Sequence, residues 1–146
     1  LRAAFASLGI TPDRLLFEHA WPDGQYYMAR YNQIDLHLDT FPWSGHTTTC
    51  EALWMGVPTL TLMGDRHAGR MSATVLQTLG LNDFIATTKR QFITLAQNWS
   101  QRIPDLARLR QTLRNQMLHS ELCDGNAFTQ KLETFYRAAW QKWCAR

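Results

Sequence analysis

The clearest pattern of apolar and polar positions lies in residues 34–63. Residues 34–39 alternate apolar and polar side chains, which predicts a strand, because side chains on a strand repeat with a period of about 2. Residues 40–48 are rich in turn residues, residues 49–56 have the helical period of about 3.6, and residues 57–63 form an apolar run. We interpret this stretch as strand, loop, helix and strand, which makes a parallel βαβ unit.

Shorter elements are predicted ahead of this unit. Residues 1–8 have the apolar spacing of a helix end, and Gly9 is a typical helix stop. Residues 15–17 predict a short buried strand. The following loop, residues 18–24, carries polar and aromatic side chains that suit a site at the end of a strand, and residues 25–33 have helical spacing.

Helices dominate the rest of the chain. Residues 64–70 form a second junction between a loop and a helix, and residues 81–85 a turn with a very short strand. The helices are predicted over residues 68–79, 89–102, 104–118 and 126–143. The alternation of strands and helices predicts an α/β, doubly wound, Rossmann-like fold in residues 1–87 and a helical C-terminal tail in residues 88–146.

Composition narrows the class of protein. With 146 residues, 45% hydrophobic and 18% charged, the chain has the size and make-up of one globular domain. The net charge is +3, but the basic residues are spread along the chain, which argues against a nucleic-acid partner. The longest apolar run is broken by Gly56 and Pro58 and is too short for a membrane span, so no membrane partner is expected.

The cysteines and the first residue bear on location and completeness. Cys50, Cys123 and Cys144 show no metal-ligand spacing and are read as reduced thiols of a cytoplasmic protein. No signal peptide is visible. The sequence opens on Leu1, directly in a predicted helix, so we expect it to be a piece of a longer polypeptide.

The loop before the predicted helix of residues 49–56 is the candidate anion site. Gly45 allows close backbone approach, and the hydroxyl and N–H groups of Thr47 and Thr48 can reach phosphate oxygens at the positive end of the helix dipole. The loop has no glycine-rich Walker pattern and no following Lys, which disfavours nucleoside triphosphate hydrolysis. The sequence therefore predicts a phosphate site without a metal motif.

Glu51 supports two interpretations. It lies three residues after Thr48, where its carboxylate could accept hydrogen bonds from both hydroxyls of a ribose whose phosphates sit at the helix tip. Thr48 and Glu51 also have the spacing of a capping box, in which each satisfies the other's end of the first helical turn. Both interpretations are open at this point, although a cap does not require Gly45 and His46 ahead of it.

The second junction is also ambiguous. Residues 65–70 can be read as a solvated loop and helix start, with Asp65 as the N-cap. They can also place Arg66 or Arg70 against a diphosphate or a facing domain. For Arg70 the two interpretations stay open, whereas the solvated loop is favoured for Arg66.

Several short motifs resemble one known family. They are Leu-Asp-Thr-Phe-Pro at 38–42, Gly-His-Thr-Thr at 45–48, Glu-Ala-Leu-Trp-Met-Gly-Val-Pro at 51–58, and Gly64 with Ala68 and Arg70. As a set, in this order and spacing, they are similar to the C-terminal catalytic half of the O-linked N-acetylglucosamine transferases and their plant SPINDLY and bacterial relatives. The resemblance extends more thinly over residues 1–143.

The resemblance implies a GT-B architecture, in which two Rossmann-like halves face a cleft and the C-terminal half holds a nucleotide sugar. Such enzymes often carry N-terminal tetratricopeptide repeats. They pass N-acetylglucosamine from a UDP-sugar to a Ser or Thr of a protein or peptide, with inversion and without a metal or other cofactor. The alternatives are UDP-glucose with an Asn acceptor, GDP-fucose, or a non-catalytic nucleotide-binding or scaffold domain.

Site residues follow from the resemblance by position. His46, Thr47 and Thr48 would contact the diphosphate, Glu51 would replace the family's ribose-binding Asp, and Arg30 would match an Arg near the base. Two positions depart from the family: Tyr27 stands where many members have His, and Asp23 near a Lys that contacts the nucleotide. The N-terminal half, where the catalytic residues are expected, is absent from this sequence, so we expect this piece alone to be inactive.

Overall fold

The computed structural model describes residues 1–17 and 27–145. The predicted loop of residues 18–24, with Asp23, lies outside the described residues. The same holds for the first two positions of the predicted helix of residues 25–33.

Three parallel strands form the sheet in the described residues. They are β1 (His37–Leu38), β2 (Thr59–Leu62) and β3 (Ile85–Ala86), in the order β1-β2-β3. His37 pairs with Thr59, and Thr61 pairs with Ile85. Helix α2 (Thr47–Trp54) connects β1 to β2, and α3 (Met71–Thr78) connects β2 to β3. The predicted βαβ unit and the α/β class are confirmed.

The remaining helices follow the predicted order. The α-helices are α1 (Arg2–Ala6), α4 (Lys89–Ser100), α5 (Ile103–Leu118) and α6 (Gly125–Cys144). Short 3-10 helices occupy Pro12–Arg14, Tyr27–Gln33, His67–Gly69 and Asn82–Phe84. The three helices of the predicted tail begin and end within two residues of their predicted bounds.

The core lies between the sheet and the helices that pack on it. Leu53 of α2, Leu60 of β2, Leu76 of α3 and Leu113 of α5 are fully buried. Burying one such side chain is worth about 1.5–3 kcal/mol. These contacts fix the helices that follow each strand, and with them the loops at the carboxyl edge of the sheet.

Two strand predictions were wrong in detail. Residues 15–17 form no strand, and Leu16 is 79% exposed. In residues 34–39 only His37 and Leu38 pair as a strand. At the end of this strand the predicted faces are reversed, since Leu38 is 50% exposed whereas Asp39 is 5% exposed. The reversal arises because Asp39 turns inward to accept hydrogen bonds, which outweighs the burial of one Leu.

Helix α6 exposes an aromatic face. None of its 20 residues is buried, and its large exposed side chains are Phe128, Phe135, Tyr136, Trp140 and Trp143. The helix begins with a side-chain cap, in which the Asp124 carboxylate accepts a hydrogen bond from the N–H of Ala127 at 2.9 Å. Within the described part of the chain, no helix combines the length and apolar character needed to cross a membrane.

Gly56 offers a test of the contact between α2 and α5. Its φ is +81°, and an added Cβ would lie 2.6 Å from the carbonyl oxygen of Arg110, whereas Gly80 has φ +70° with nothing within 4 Å. Gly80→Ala therefore adds backbone strain alone, about 1–2 kcal/mol. Gly56→Ala adds overpacking of about 1–3 kcal/mol to that strain. Urea unfolding should show the larger loss for Gly56→Ala, and equal losses would contradict the observed packing.

Candidate nucleotide-sugar site

A buried carboxylate fixes the loop at the carboxyl end of β1. Oδ1 of Asp39 accepts hydrogen bonds from the N–H groups of Thr40 at 2.9 Å and Gly45 at 2.7 Å. Oδ2 accepts a hydrogen bond from the hydroxyl of Thr61 on β2 at 2.7 Å. Because hydrogen bonds to a buried charge are strong, this one side chain ties both ends of the loop to the sheet.

A second set of buried hydrogen bonds ties the same loop to α3. The N–H and hydroxyl of Ser44 both donate to the carbonyl of Ala68, at 3.0 and 2.9 Å. The hydroxyl of Ser72 donates to the carbonyl of Gly45 at 2.8 Å and lies 2.8 Å from the hydroxyl of Thr49. Since Ser72 has one hydroxyl proton, Thr49 is the donor in the last pair. The loop is therefore held on two sides.

Gly45 is required by the packing of this loop. A Cβ at this position would lie 2.6 Å from the hydroxyl oxygen of Thr49, 2.8 Å from that of Thr48 and 3.1 Å from Oδ1 of Asp39. Any larger side chain would push the loop away from the first turn of α2.

Helix α2 begins with open backbone donors. Its first hydrogen bond runs from the N–H of Cys50 to the carbonyl of His46 at 3.1 Å, so the N–H groups of residues 47–49 precede the helical ladder. No side chain caps this end in the described part of the chain, and His46, Thr47 and Thr48 are exposed. The end carries about half a positive charge from the helix dipole and can accept an anion.

The capping-box interpretation of Thr48 and Glu51 was wrong. Thr48 is already inside the helix, one residue past its start. The half-buried Glu51 carboxylate instead accepts a hydrogen bond from the hydroxyl of Tyr27. Its side chain therefore serves something other than its own helix end.

The 3-10 helix Tyr27–Gln33 packs against the first turn of α2. The hydroxyl of Tyr31 donates to the carbonyl of Thr48 at 3.4 Å. Burial raises the pKa of the Tyr31 hydroxyl, and the charge of Glu51 raises it further. The described lining of a cavity of about 480 Å³ includes Arg30, Tyr27 and Tyr31 together with His37. Burial lowers the pKa of His37, although the nearby Asp39 acts in the opposite direction.

The second junction packs on the first. The N–H of Gly64 donates to the carbonyl of Gly69 at 2.9 Å, and a Cβ on Gly69 would lie 2.9 Å from the carbonyl oxygen of Pro42. Asp65 does not cap a helix, because Arg66 precedes the 3-10 helix and Arg70 precedes α3. That interpretation of Asp65 was wrong.

A further cavity of about 690 Å³ opens where the three strands end. Its lining includes Trp43 after β1, Met63 after β2 and Lys89 at the start of α4. Arg66 also lines it, whereas Arg70 is exposed and is not among the described lining residues. This cavity is not apparent from the sequence, where a site role stayed open for Arg70 and a solvated loop was favoured for Arg66.

No group of three or more His, Cys, Asp or Glu side chains in residues 1–17 and 27–145 is arranged to hold a metal ion. The donors that the site offers are backbone N–H groups and hydroxyls, which suit an anionic ligand.

Comparison with known proteins decides the family. Residues 1–132 match the sequence model of the protein family described as "Glycosyl transferase family 41". The chain belongs to this family. It is 39% identical over 137 residues to the "Probable UDP-N-acetylglucosamine--peptide N-acetylglucosaminyltransferase SPINDLY" of Petunia hybrida, covering 94% of this chain and 15% of that protein. It is 25% identical over 135 residues to the UDP-N-acetylglucosamine--peptide N-acetylglucosaminyltransferase of Caenorhabditis elegans, covering 92% of this chain and 12% of that protein.

A solved structure supports the same assignment to family 41. A mutant of the Thermobaculum terrenum O-GlcNAc transferase superposes with a TM-score of 0.86 at 38% identity, covering 98% of this chain and 27% of that one. The predicted resemblance and the α/β fold with its helical tail are confirmed. The chain spans about 15% of the length of the SPINDLY relatives that it matches.

The residues that build this family 41 loop were not singled out from the sequence. Asp39 was placed on the polar face of a strand, and Ser44 and Ser72 were not considered. A usable signal was present, because an Asp at the end of a predicted strand, followed by a turn that contains Gly, commonly bonds to nearby backbone N–H groups.

Asp39→Ala tests whether the Asp39 carboxylate anchors the loop after β1. Removing the carboxylate leaves three donors without their acceptor, so we expect the free energy of unfolding to fall by about 2–4 kcal/mol. Asp39→Asn keeps one acceptor oxygen and should lose less. The exposed Asp35 is the control, because Asp35→Ala should stay within about 0.5 kcal/mol of wild type. Urea unfolding measures all three, and a loss for Asp39→Ala no larger than for Asp35→Ala would contradict the anchoring role.

Proposed function

We propose that this chain is the nucleotide-sugar-binding part of an inverting glycosyltransferase. The donor is UDP-N-acetylglucosamine, and the acceptor is a Ser or Thr hydroxyl of a protein or peptide. Membership of family 41 supports the proposal, as do the activities named for the SPINDLY, Caenorhabditis elegans and Thermobaculum terrenum relatives.

The open first turn of α2 is the observation that carries the proposal. The N–H groups of residues 47–49 lie at the positive end of the helix, on a loop fixed by Asp39 and Ser72. As the glycosidic bond breaks, negative charge grows on the departing diphosphate. Donors already oriented toward that charge stabilise the transition state more than the ground state, because they need no reorganisation.

We assign roles to the remaining site residues from their positions. His46, Thr47 and Thr48 contact the diphosphate from the exposed helix start. Glu51 lies one turn further along the same side of α2 and accepts hydrogen bonds from the ribose hydroxyls. Arg30 contacts the base from the cavity beside Tyr31. Arg70 faces the diphosphate or the other half of the enzyme.

The proposal assigns the charge stabilisation to protein groups and requires no metal. The acceptor-binding residues and the catalytic base belong to the N-terminal half, so transfer requires both halves.

We place the reaction in the cytoplasm, because Cys50, Cys123 and Cys144 are free thiols. Burial raises the pKa of the Cys50 thiol, and Cys123 and Glu51 raise it further.

Nucleotide titration of the full-length protein tests the donor class. We expect UDP to bind more tightly than GDP, and UDP-N-acetylglucosamine to support transfer to a Ser- or Thr-containing peptide. Tighter binding of GDP would replace the donor with a GDP-sugar such as GDP-fucose. A folded protein that binds neither nucleotide would contradict the proposal and favour a scaffold role.

The Thr47→Ala/Thr48→Ala double variant tests the helix tip. Losing both hydroxyls should lower turnover about 10²-fold, the usual effect of removing a transition-state donor, and should weaken UDP binding as well. Thr78→Ala is the control, because this exposed hydroxyl bonds only within its own helix, to the carbonyl of Thr74 at 3.0 Å. Steady-state kinetics and UDP titration make the comparison, and wild-type values in the double variant would contradict the proposed contact of these two hydroxyls with the diphosphate.

A further inference from the structure

We propose that Tyr27 is a positioning residue that holds the carboxylate of Glu51 in place to bind both hydroxyls of a ribose. This inference rests on the proposed function, since it concerns the nucleotide of the same donor. It adds a determinant of ligand choice that Glu51 alone does not provide.

The contact joins two elements that are distant in sequence. Tyr27 begins the 3-10 helix Tyr27–Gln33, and its hydroxyl donates to Oε1 of Glu51 on α2, 24 residues away. Tyr27 is 38% exposed and Glu51 is half-buried, so the pair lies at the surface, where a ligand can reach it. Both side chains border the places assigned to the nucleotide: Tyr27 lines the cavity of Arg30, and Glu51 follows the helix tip.

The helix that carries Tyr27 is held in place by hydrogen bonds further along the chain. The Arg110 guanidinium of α5 donates to the carbonyl of Tyr31 at 3.2 Å through both terminal nitrogens, and also to the carbonyl of Ile34. The Tyr31 hydroxyl bonds to the carbonyl of Thr48 on α2. The 3-10 helix is thus tied to α2 and α5, which holds Tyr27 over Glu51.

Glu51 needs such a partner because its side chain is long. A glutamate on a helix surface samples many rotamers, and fixing them for a ligand costs conformational entropy. One hydrogen bond from Tyr27 fixes the carboxylate before the nucleotide arrives. A carboxylate can accept about four hydrogen bonds, so after accepting from Tyr27 it retains capacity for the two hydroxyls of a ribose.

A consequence for selectivity follows. A fixed carboxylate that accepts from both ribose hydroxyls loses one charged hydrogen bond when the 2′-hydroxyl is absent. We therefore expect the wild-type protein to bind UDP about 10- to 100-fold more tightly than 2′-deoxy-UDP. Without Tyr27, the carboxylate rotates freely, and most of this preference should disappear.

The test is calorimetric titration of the full-length protein with UDP and 2′-deoxy-UDP. In Tyr27→Phe, affinity for UDP should fall about 10-fold while affinity for 2′-deoxy-UDP changes little, so that the ratio collapses. Tyr136→Phe is the control, since it removes an exposed phenolic hydroxyl on α6, which contributes no described residue to the lining of this cavity. Its ratio should remain that of wild type. GDP and 2′-deoxy-GDP are titrated in parallel. If the protein binds GDP and not UDP, the ratio of the affinities for GDP and 2′-deoxy-GDP is compared instead.

Glu51→Ala provides an independent variant should Tyr27→Phe fold poorly. It removes the carboxylate that accepts from the Tyr27 hydroxyl and from the ribose, so the same loss of preference is expected. Adding Tyr27→Phe to Glu51→Ala should cause no further loss of preference, because both changes act on one interaction. An unchanged ratio in Tyr27→Phe or Glu51→Ala, in a protein that binds UDP, would overturn this inference and leave the proposed nucleotide-sugar binding standing. Absence of any nucleotide binding by the wild type would overturn both.

Discussion

The buried carboxylate of Asp39 is the interaction on which the described site depends. It accepts one hydrogen bond from an N–H group at each end of the loop after β1 and one from a hydroxyl on β2. Such a charge is tolerated inside a protein only when its hydrogen bonds are made, so the loop has one favourable conformation. That conformation brings Gly45 against Thr49 and leaves the first turn of α2 open. The hydrogen bonds of one buried side chain thereby position the start of α2 at the edge of the sheet.

The spacing of apolar residues predicted most of the fold, because it marks the face that an element buries against the sheet. The βαβ unit and helices α4 and α5 follow from apolar periods that a single face can satisfy. Helix α6 has a helical period but no buried residue. The failures have local causes. Residues 15–17 are apolar without a described strand beside them, and Asp39 lies where a hydrogen-bond network overrides alternation. The capping box failed because α2 begins one residue before Thr48, and helix starts are poorly fixed by sequence.

The loop of the candidate site could be recognised from the sequence, whereas its other features depend on contacts between distant residues. The motif of residues 45–48 is visible in sequence, whereas the partner of Glu51 is not, since Tyr27 reaches it across 24 positions. The cavity at the strand ends likewise combines three loops. Helix α6 presents an exposed aromatic face. The chain spans about 15% of the length of its SPINDLY relatives.

The most direct test of the central claim is a crystal structure of the full-length protein with UDP. We expect phosphate oxygens within about 3.2 Å of the N–H groups of the exposed Thr47 and Thr48. We also expect the ribose hydroxyls to lie within hydrogen-bond distance of Glu51. A diphosphate bound in the cavity lined by Trp43 and Lys89, with the start of α2 facing solvent, would contradict this claim.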